Sequence, residues 1–349
     1  MKPEDWEALD TRRPRLSMGS LSRALKRLFG IDGNISVLAE ERDQVFLLTT
    51  KSATKFIVRA SCRDQLAQSA IVQNEALDAV AAADPLLPVP RVLRSKAGRS
   101  IEATEEGRSE YQIRLLSHLP GRPMAPPWSE ARLHQIGLMA SRLDRALTAA
   151  PMPEKTFPLL WNLAEAHQLL PFLDFIEDRD LRALVERALL DFSERTLPEL
   201  RKLPSQLIHN DLSPKNILFS GSDQREVSGI IDFGDIVAMP RIVDLAIAIA
   251  RFTRPEDPIS PAMRLIGAYS ENSPLSTLEL ATVPSIVQAR LAMRVAVWSW
   301  RLHKIACHAT NPVHDASALL RAVARLGNDT FLSTAPDANR ARGPFPKCI

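Results

Sequence analysis

Leu207–Asp235 reads LIHNDLSPKNILFSGSDQREVSGIIDFGD. Within it His209, Asp211 and Asn216 stand at the spacing H-x-D-x-x-x-x-N, and a later apolar run ends at Asp232-Phe233-Gly234. The residues between read as a strand, a turn and a second strand, Val227–Ile231, which delivers Asp232 at its end. Phosphoryl transfer asks for little covalent chemistry from a protein. It needs a hydroxyl held in line with the γ-phosphate and cations that neutralise the phosphate oxygens. A carboxylate at Asp211 suits the proton of the attacking hydroxyl. The Asn216 oxygen and the Asp232 carboxylate are hard ligands of the kind that hold Mg²⁺ together with substrate phosphates. Asp211, Asn216 and Asp232 are therefore the candidate catalytic set, and Asn216 and Asp232 the candidate metal ligands.

HNDLSPKN followed by IIDFGD resembles the catalytic core of the kinase-like phosphotransferases, which include protein kinases, aminoglycoside phosphotransferases and choline kinases. The likeness runs along most of the chain. ERDQVFLLTT, KFIVR, VQNEAL, IRLLSHLPGRP, IHNDLSPKNIL, GIIDFGD and ARLAMRV occur here in the order similar to that of the hydroxylysine-kinase-like branch of the aminoglycoside phosphotransferase superfamily. The resemblance implies an α+β, bilobal protein-kinase-like fold with a small antiparallel-sheet amino-terminal lobe and a helical carboxy-terminal lobe. It implies ATP or GTP as donor, Mg²⁺ as cofactor, and hydroxylysine or a similar hydroxy amino acid as acceptor. Homoserine, ethanolamine, choline or an aminoglycoside stay open as acceptors, and so does a nucleotide-binding module without turnover. In similar proteins the position of His209 braces the metal loop rather than relaying a proton.

The bulk properties agree. The chain has 349 residues, enough for two lobes with their own cores. Forty-four basic and 41 acidic residues leave a net charge of +3, which argues against nucleic acid or an anionic membrane as partner. MKPEDWEALD is too polar for a secretory signal. No apolar run approaches the length of a membrane span. The three cysteines Cys62, Cys307 and Cys348 have no metal-like spacing, and a reducing cytoplasm is the expected setting. Composition says nothing about oligomeric state.

Read outward, residues 1–18 form a loose arm, and Leu21, Leu25 and Leu28 make one helical stripe that Gly30 ends. Three short strands follow at 35–38, 45–48 and 55–59, then a helix over 65–83, then strands at 89–93 and 111–116. Residues 1–118 are expected to form the nucleotide-binding lobe. A hinge at Leu116–Leu119 receives the base, the catalytic and substrate-binding lobe spans 119–334, and 335–349 is a tail. Helices are expected at 130–149, 159–170, 180–195, 243–252, 261–269, 285–303 and 316–326.

Four features refine this outline. The resemblance implies a Lys on the third strand facing the phosphates, but the alternation Lys55-Ile57-Arg59 places Arg59 there, and Arg is larger and never loses its charge. Its helix partner would be Glu75, with Asp78 as alternative. The phosphate turn is Glu40-Glu41-Arg42-Asp43 rather than a glycine-rich loop, so its backbone amides and Arg42 are the phosphate contacts on offer. Only a short segment separates Asp232 from Asp244, with no room to dock a peptide, so the substrate is a small molecule. Asp235 either meets a cationic substrate group or metal water, or stabilises a turn, and Asp244 reads as a buried brace. Arg290, Arg294 and Arg301 share a helical stripe with Trp298, which reads as a pocket wall for an anionic group such as an amino-acid carboxylate.

Overall fold

The computed structural model describes residues 15–333 except 41–42, 124, 155–156, 222–225 and 305–311. Most of the expected arm, Arg42 and the tail from 334 lie outside the described residues. Helix α1 (Met18–Leu28) is capped by the Ser17 hydroxyl and released by Gly30 at φ 73°. Strands β1 (Gly33–Glu40), β2 (Gln44–Thr50) and β3 (Lys55–Cys62) form the expected antiparallel meander. Helix α2 (Arg63–Ala83) follows, then β4 (Val92–Leu93), β5 (Glu102–Glu106) and β6 (Ser109–Ser117). The strand order is β1-β2-β3-β6-β4, with β5 also on β6. Leu21, Leu25, Phe46, Leu48, Val58, Ile113 and Leu115 form the core that α1 seals onto this sheet.

The second lobe begins where β7 (Arg122–Pro123) pairs with β9 (Ile217–Ser220), itself in a hairpin with β10 (Glu226–Ile230). Gly121 makes that entry possible. It sits at φ 111°, and a Cβ there would lie 2.3 Å from Ser228 Oγ and 2.8 Å from the Phe219 carbonyl. Helix α3 (Glu130–Leu147) presents Leu133, Ile136, Ala140, Leu143 and Leu147 at helical spacing. After a tight 3-10 stretch at Leu163–Phe175 come α4 (Arg179–Asp191) and the short α5 (Leu197–Leu200). Strands β8 (Gln206–Ile208) and β11 (Val237–Met239) pair, and α6 (Ile242–Phe252), α7 (Ser260–Asn272), α8 (Thr277–Lys304) and α9 (Pro312–Ser333) complete the lobe. At Gly137 a Cβ would come within 2.7 Å of Ala268 Cβ, so α3 and α7 touch backbone to backbone.

Two expectations change here. The stretch at 163–175 is 3-10 rather than α, with Pro171 inside it and non-helical φ/ψ at Glu165. And one apolar stretch does reach spanning length: Thr277–His303 passes by length and composition, but 72% of its most apolar window is buried within the protein. It is the central helix of the carboxy-terminal core, flanked by α6, whose residues are buried on nearly every side.

Candidate active site

The loop 209–216 hangs between β8 and β9, and the turn 231–236 between β10 and β11, so the two hairpin edges bring both motifs to one place. Ile231 N–H donates to the Asn216 carbonyl at 2.9 Å and joins them. Asp244, buried in the first turn of α6, accepts the His209 and Asn210 N–H groups at 2.7 and 2.6 Å. Asn210 adopts φ 65°, and its Nδ2 donates to the Asp235 and Trp161 carbonyls at 3.0 and 3.3 Å. His209 is a brace, as expected. Its Nδ1 accepts the Asp211 N–H at 3.2 Å, which assigns the hydrogen to Nε2, 3.0 Å from the Ile231 carbonyl.

Held this way, Asp211 accepts from Asn216 Nδ2 at 2.7 Å and Ser213 Oγ at 3.4 Å, both on Oδ2. Asn216 also donates to the Asp211 carbonyl at 3.0 Å, so its Oδ1 is left to face a cation. Asp232 sits in the left-handed region at φ 64°, unusual for a non-glycine residue and common where a site over-determines the backbone. Its half-exposed carboxylate receives Arg59 Nη1 at 3.0 Å. Asn216 Oδ1 and the Asp232 carboxylate fit a hard cation such as Mg²⁺. No group of three or more His, Cys, Asp or Glu among the described residues would cage a metal alone, so phosphate oxygens or water would complete the shell.

Arg59 enters the site from β3 as the alternation requires, but among the described residues its partner is not on α2. Glu75 is exposed on the outer face of that helix, whose buried side carries Val72, Gln73, Ala76, Leu77 and Val80. Asp78 pairs with Arg94 instead. The acid beside Arg59 is Asp43, from the turn between β1 and β2, at 2.8 Å. Asp43 also lies 3.6 Å from Arg114, the cross-strand neighbour of Arg59 on β6. Burial opposes the charge on Arg59, yet Asp43 and Asp232 hold its pKa above the ordinary value. Arg114 is buried beside Arg59 and is pushed down to about 10.

The hinge assignment also shifts. Leu116 belongs to β6, in register with Ile57 on one side and Val92 on the other. Its backbone is engaged in the sheet, and the connecting segment starts at His118. Leu119 lies in that segment; Leu116 does not.

Arg290 is not a substrate wall. It is buried, donates from Nη1 to the Trp161 carbonyl at 2.8 Å and from Nη2 to the Asn210 carbonyl at 2.9 Å, and stacks 5.1 Å from the Trp161 ring centroid. It positions the residue before Asp211. Arg294, one turn further on, is part-buried and has no hydrogen bond or ion pair with any described residue. Trp298 carries the Arg301 guanidinium 5.3 Å from its ring centroid. Asp235 ends the short turn Phe233–Asp235, and its charge acts on Arg290.

Sequence reasoning missed three features of the site. One is Arg251 on α6, a lone charge in the apolar run Leu245–Phe252, which is itself a readable signal. The second is the role of Asp43 as the shared partner of two arginines. The third is Asp144 on α3, buried against Asp244, whose Oδ2 accepts from the Tyr269 hydroxyl at 2.6 Å. Burial first, and then the Asp244 charge, raise the pKa of Asp144 well above the carboxylate range.

The model of the phosphotransferase enzyme family matches residues 34–279. Hydroxylysine kinase from Mus musculus is 25% identical over 326 residues, covering 85% of this chain and 86% of the relative. Homoserine kinase from Methylobacillus flagellatus is 28% identical over 251 residues, 68% and 72% of the two chains. Among solved structures, amicoumacin kinase hAmiN in complex with AMP-PNP, Ca²⁺ and Ami aligns with a TM-score of 0.67 at 15% identity, covering 97% of this chain and 99% of that one. Likeness at that identity concerns the fold.

Proposed function

Because this chain belongs to the phosphotransferase enzyme family, we propose that its acceptor is hydroxylysine or a closely similar hydroxy amino acid, with ATP or GTP as donor. The chain is a kinase that phosphorylates a hydroxyl group of a small molecule. The observation that carries the reading is the orientation of Asp211. Its Oδ2 is held by Asn216 and Ser213, and the loop is anchored from beneath by Asp244 and from the side by Arg290. The choice of acceptor rests on the likeness to hydroxylysine kinase over most of both chains.

In this reading Asp211 orients the acceptor hydroxyl and takes its proton as the oxygen attacks the γ-phosphate. Mg²⁺, when bound, would neutralise charge on the phosphate oxygens, and Asn216 and Asp232 would hold it. Arg59 leaves Asp43 and Asp232 to meet the phosphates, and Asp43 keeps Arg59 and Arg114 from repelling one another while the site is empty of nucleotide. We place the reaction in the cytoplasm, the setting expected from three cysteines without metal-like spacing. Arg59→Met is expected to weaken nucleotide binding about 10–100-fold, the worth of a lost charge-assisted contact, with Arg59→Lys intermediate. A nucleotide titration checks this, and equal affinity in all three proteins would remove Arg59 from the donor site.

The test of the reaction is release of nucleoside diphosphate. ATP and GTP are offered against hydroxylysine, homoserine, ethanolamine, choline and kanamycin, with Asp211→Ala as control. Hydroxylysine is expected to give a kcat/KM at least about tenfold above the others, and the control a kcat lower by about 10²–10⁴-fold; tenfold is about 1.4 kcal/mol of transition-state discrimination. A preference for another acceptor would replace hydroxylysine. Silence across the panel despite nucleotide binding would favour a binding module.

A further inference from the structure

Two groups of arginines flank the catalytic loop, and they answer to different acids. Arg59 and Arg114 come from the sheet, and the carboxylates whose charge acts on them are Asp43 and Asp232. Arg251, Arg290 and Arg294 come from α6 and α8, and the charge they share is that of Asp211. The first group answers to Asp232, which with Asn216 would hold the metal and its phosphates. The second answers to Asp211, which would take the proton of the acceptor.

Within the second group the three guanidiniums are not equivalent. Arg290 spends both Nη groups on two carbonyls and lies against a tryptophan face, with its Nε buried and unpartnered. Arg251 and Arg294 make no hydrogen bond or ion pair with any described residue, and the Arg251 Nε is also buried without a partner. Arg294 is pushed down to about 9 by burial and then by Arg251 and Arg290, with Asp211 and the exposed Asp315 pulling the other way. Arg251 is lowered by burial, with only Asp211 opposing. A guanidinium does not readily shed its proton, so an anion is what best relieves two part-buried cations whose charges act on one another. The placement is specific as well. Arg251 interrupts an otherwise apolar, buried helix, and Arg294 stands one turn, about 5.4 Å, beyond the residue that grips the Asn210 carbonyl.

We propose that Arg251 and Arg294 form the acceptor carboxylate site, a planar fork pair that seats an α-carboxylate so that the hydroxyl at the far end of the acceptor reaches Asp211. This deepens the reading above, on which it rests for the nature of the acceptor. It makes the carboxylate the group that separates this kinase's substrates from amino alcohols of the same length. Arg290, although on the same stripe, is a positioning residue for the loop and not part of the clamp.

Binding without turnover tests it. L-Lysine, which lacks the hydroxyl, is titrated calorimetrically against cadaverine, the same chain without the carboxylate. Homoserine and 3-aminopropanol form a second pair, measured in the absence of nucleotide. Wild-type protein is expected to bind the carboxylate member of at least one pair about 30-fold or more tighter, and Arg251→Gln or Arg294→Gln to bring the two members within about threefold. Arg294→Lys, which keeps the charge and loses the fork, should retain part of the preference. Unchanged nucleotide affinity in the variants shows that they are folded. Equal affinity within both pairs in the wild type, or a preference that survives both Gln substitutions, would overturn the assignment. Turnover is not read here, so silence in the acceptor panel and failure of the carboxylate clamp are separate results.

Discussion

Asp211→Ala is expected to lower kcat by about 10²–10⁴-fold while nucleotide affinity changes by less than about twofold. The two halves of that statement come from different parts of the geometry. Asp211 is in contact with Asn216 and Ser213, not with Arg59 or Asp43, so its removal leaves the donor-side arginines as they are. What it removes is an acceptor for the hydroxyl proton, already oriented by a 2.7 Å contact from Asn216. It also removes the one carboxylate charge common to Arg251, Arg290 and Arg294. Three cations without that counter-charge attract an anion more strongly, so KM for a carboxylate-bearing acceptor should stay level or fall even as kcat collapses. Asp211→Asn sharpens the experiment, since its amide oxygen can keep the contact from Asn216 while an NH2 replaces the oxygen that would take the hydroxyl proton. Steady-state kinetics with both substrates varied separate the terms. A loss of kcat below about tenfold, or a parallel loss of nucleotide affinity, would move the base elsewhere.

The catalytic loop was legible because its chemistry is local. His209, Asp211 and Asn216 lie within eight residues, and the strand pair that follows fixes where Asp232 arrives. Arg59 was legible for a similar reason, since a period-2 strand shows which side chains share a face. Its partner was not. Assigning Glu75 ignored the helical period: at about 100° per residue, Glu75 lies roughly 200° from Gln73 and from Leu77, which are both buried, so it faces away from them. Asp43 reaches Arg59 through a turn, and no periodicity reports where a turn puts a side chain.

Strand β5 escaped for another reason. Its inward positions are Glu102 and Thr104, both buried and polar, so the apolar alternation that marks a strand is missing from EATEE. Glu102 is stabilised there by Arg99, whose contact lowers its pKa. The long helix α8, expected from Ser285, starts at Thr277 and runs through Pro284. The stop expected at Leu326 was sound, since Gly327 takes φ 69° and breaks the helix there. Arg290 shows the deeper limit. On the stripe it is identical in kind to Arg294, and only the backbone carbonyls of Trp161 and Asn210, which carry no sequence signature, distinguish a brace from a free cation.

Asp244→Ala and Asp144→Asn are expected to behave as opposites, although the two carboxyl groups are neighbours in one buried cluster. Asp244 accepts two backbone N–H groups at 2.7 and 2.6 Å and is fully buried. Removing it orphans both, at about 1–3 kcal/mol each, so a loss of roughly 3–5 kcal/mol and a melting temperature lower by roughly 10 °C are expected. Because those amides belong to His209 and Asn210, kcat should fall with the stability. Asp144 is the protonated member. Its Oδ1 is buried with no donor to accept from, which is consistent with an oxygen that carries the shared proton toward Asp244, while Oδ2 takes the Tyr269 hydroxyl. Burial raises Asp244 too, but its two amides and His209 oppose that, so the negative charge rests on Asp244. An asparagine at 144 can donate to Asp244 and accept from Tyr269 as the acid does, and the change should cost less than about 1 kcal/mol. The pH dependence has a definite sign. The Asp144 pKa is raised in the folded protein, so its contribution to stability is fully present below the ordinary carboxyl value and is lost as pH rises through the folded pKa. Denaturant melts from pH 4 to pH 9 should therefore show wild-type stability declining as pH rises above the ordinary carboxyl value, and Asp144→Asn should flatten that decline. If the asparagine variant is as unstable as Asp244→Ala, or keeps that slope, the proton does not reside on Asp144, and the loop is anchored by two charges rather than one.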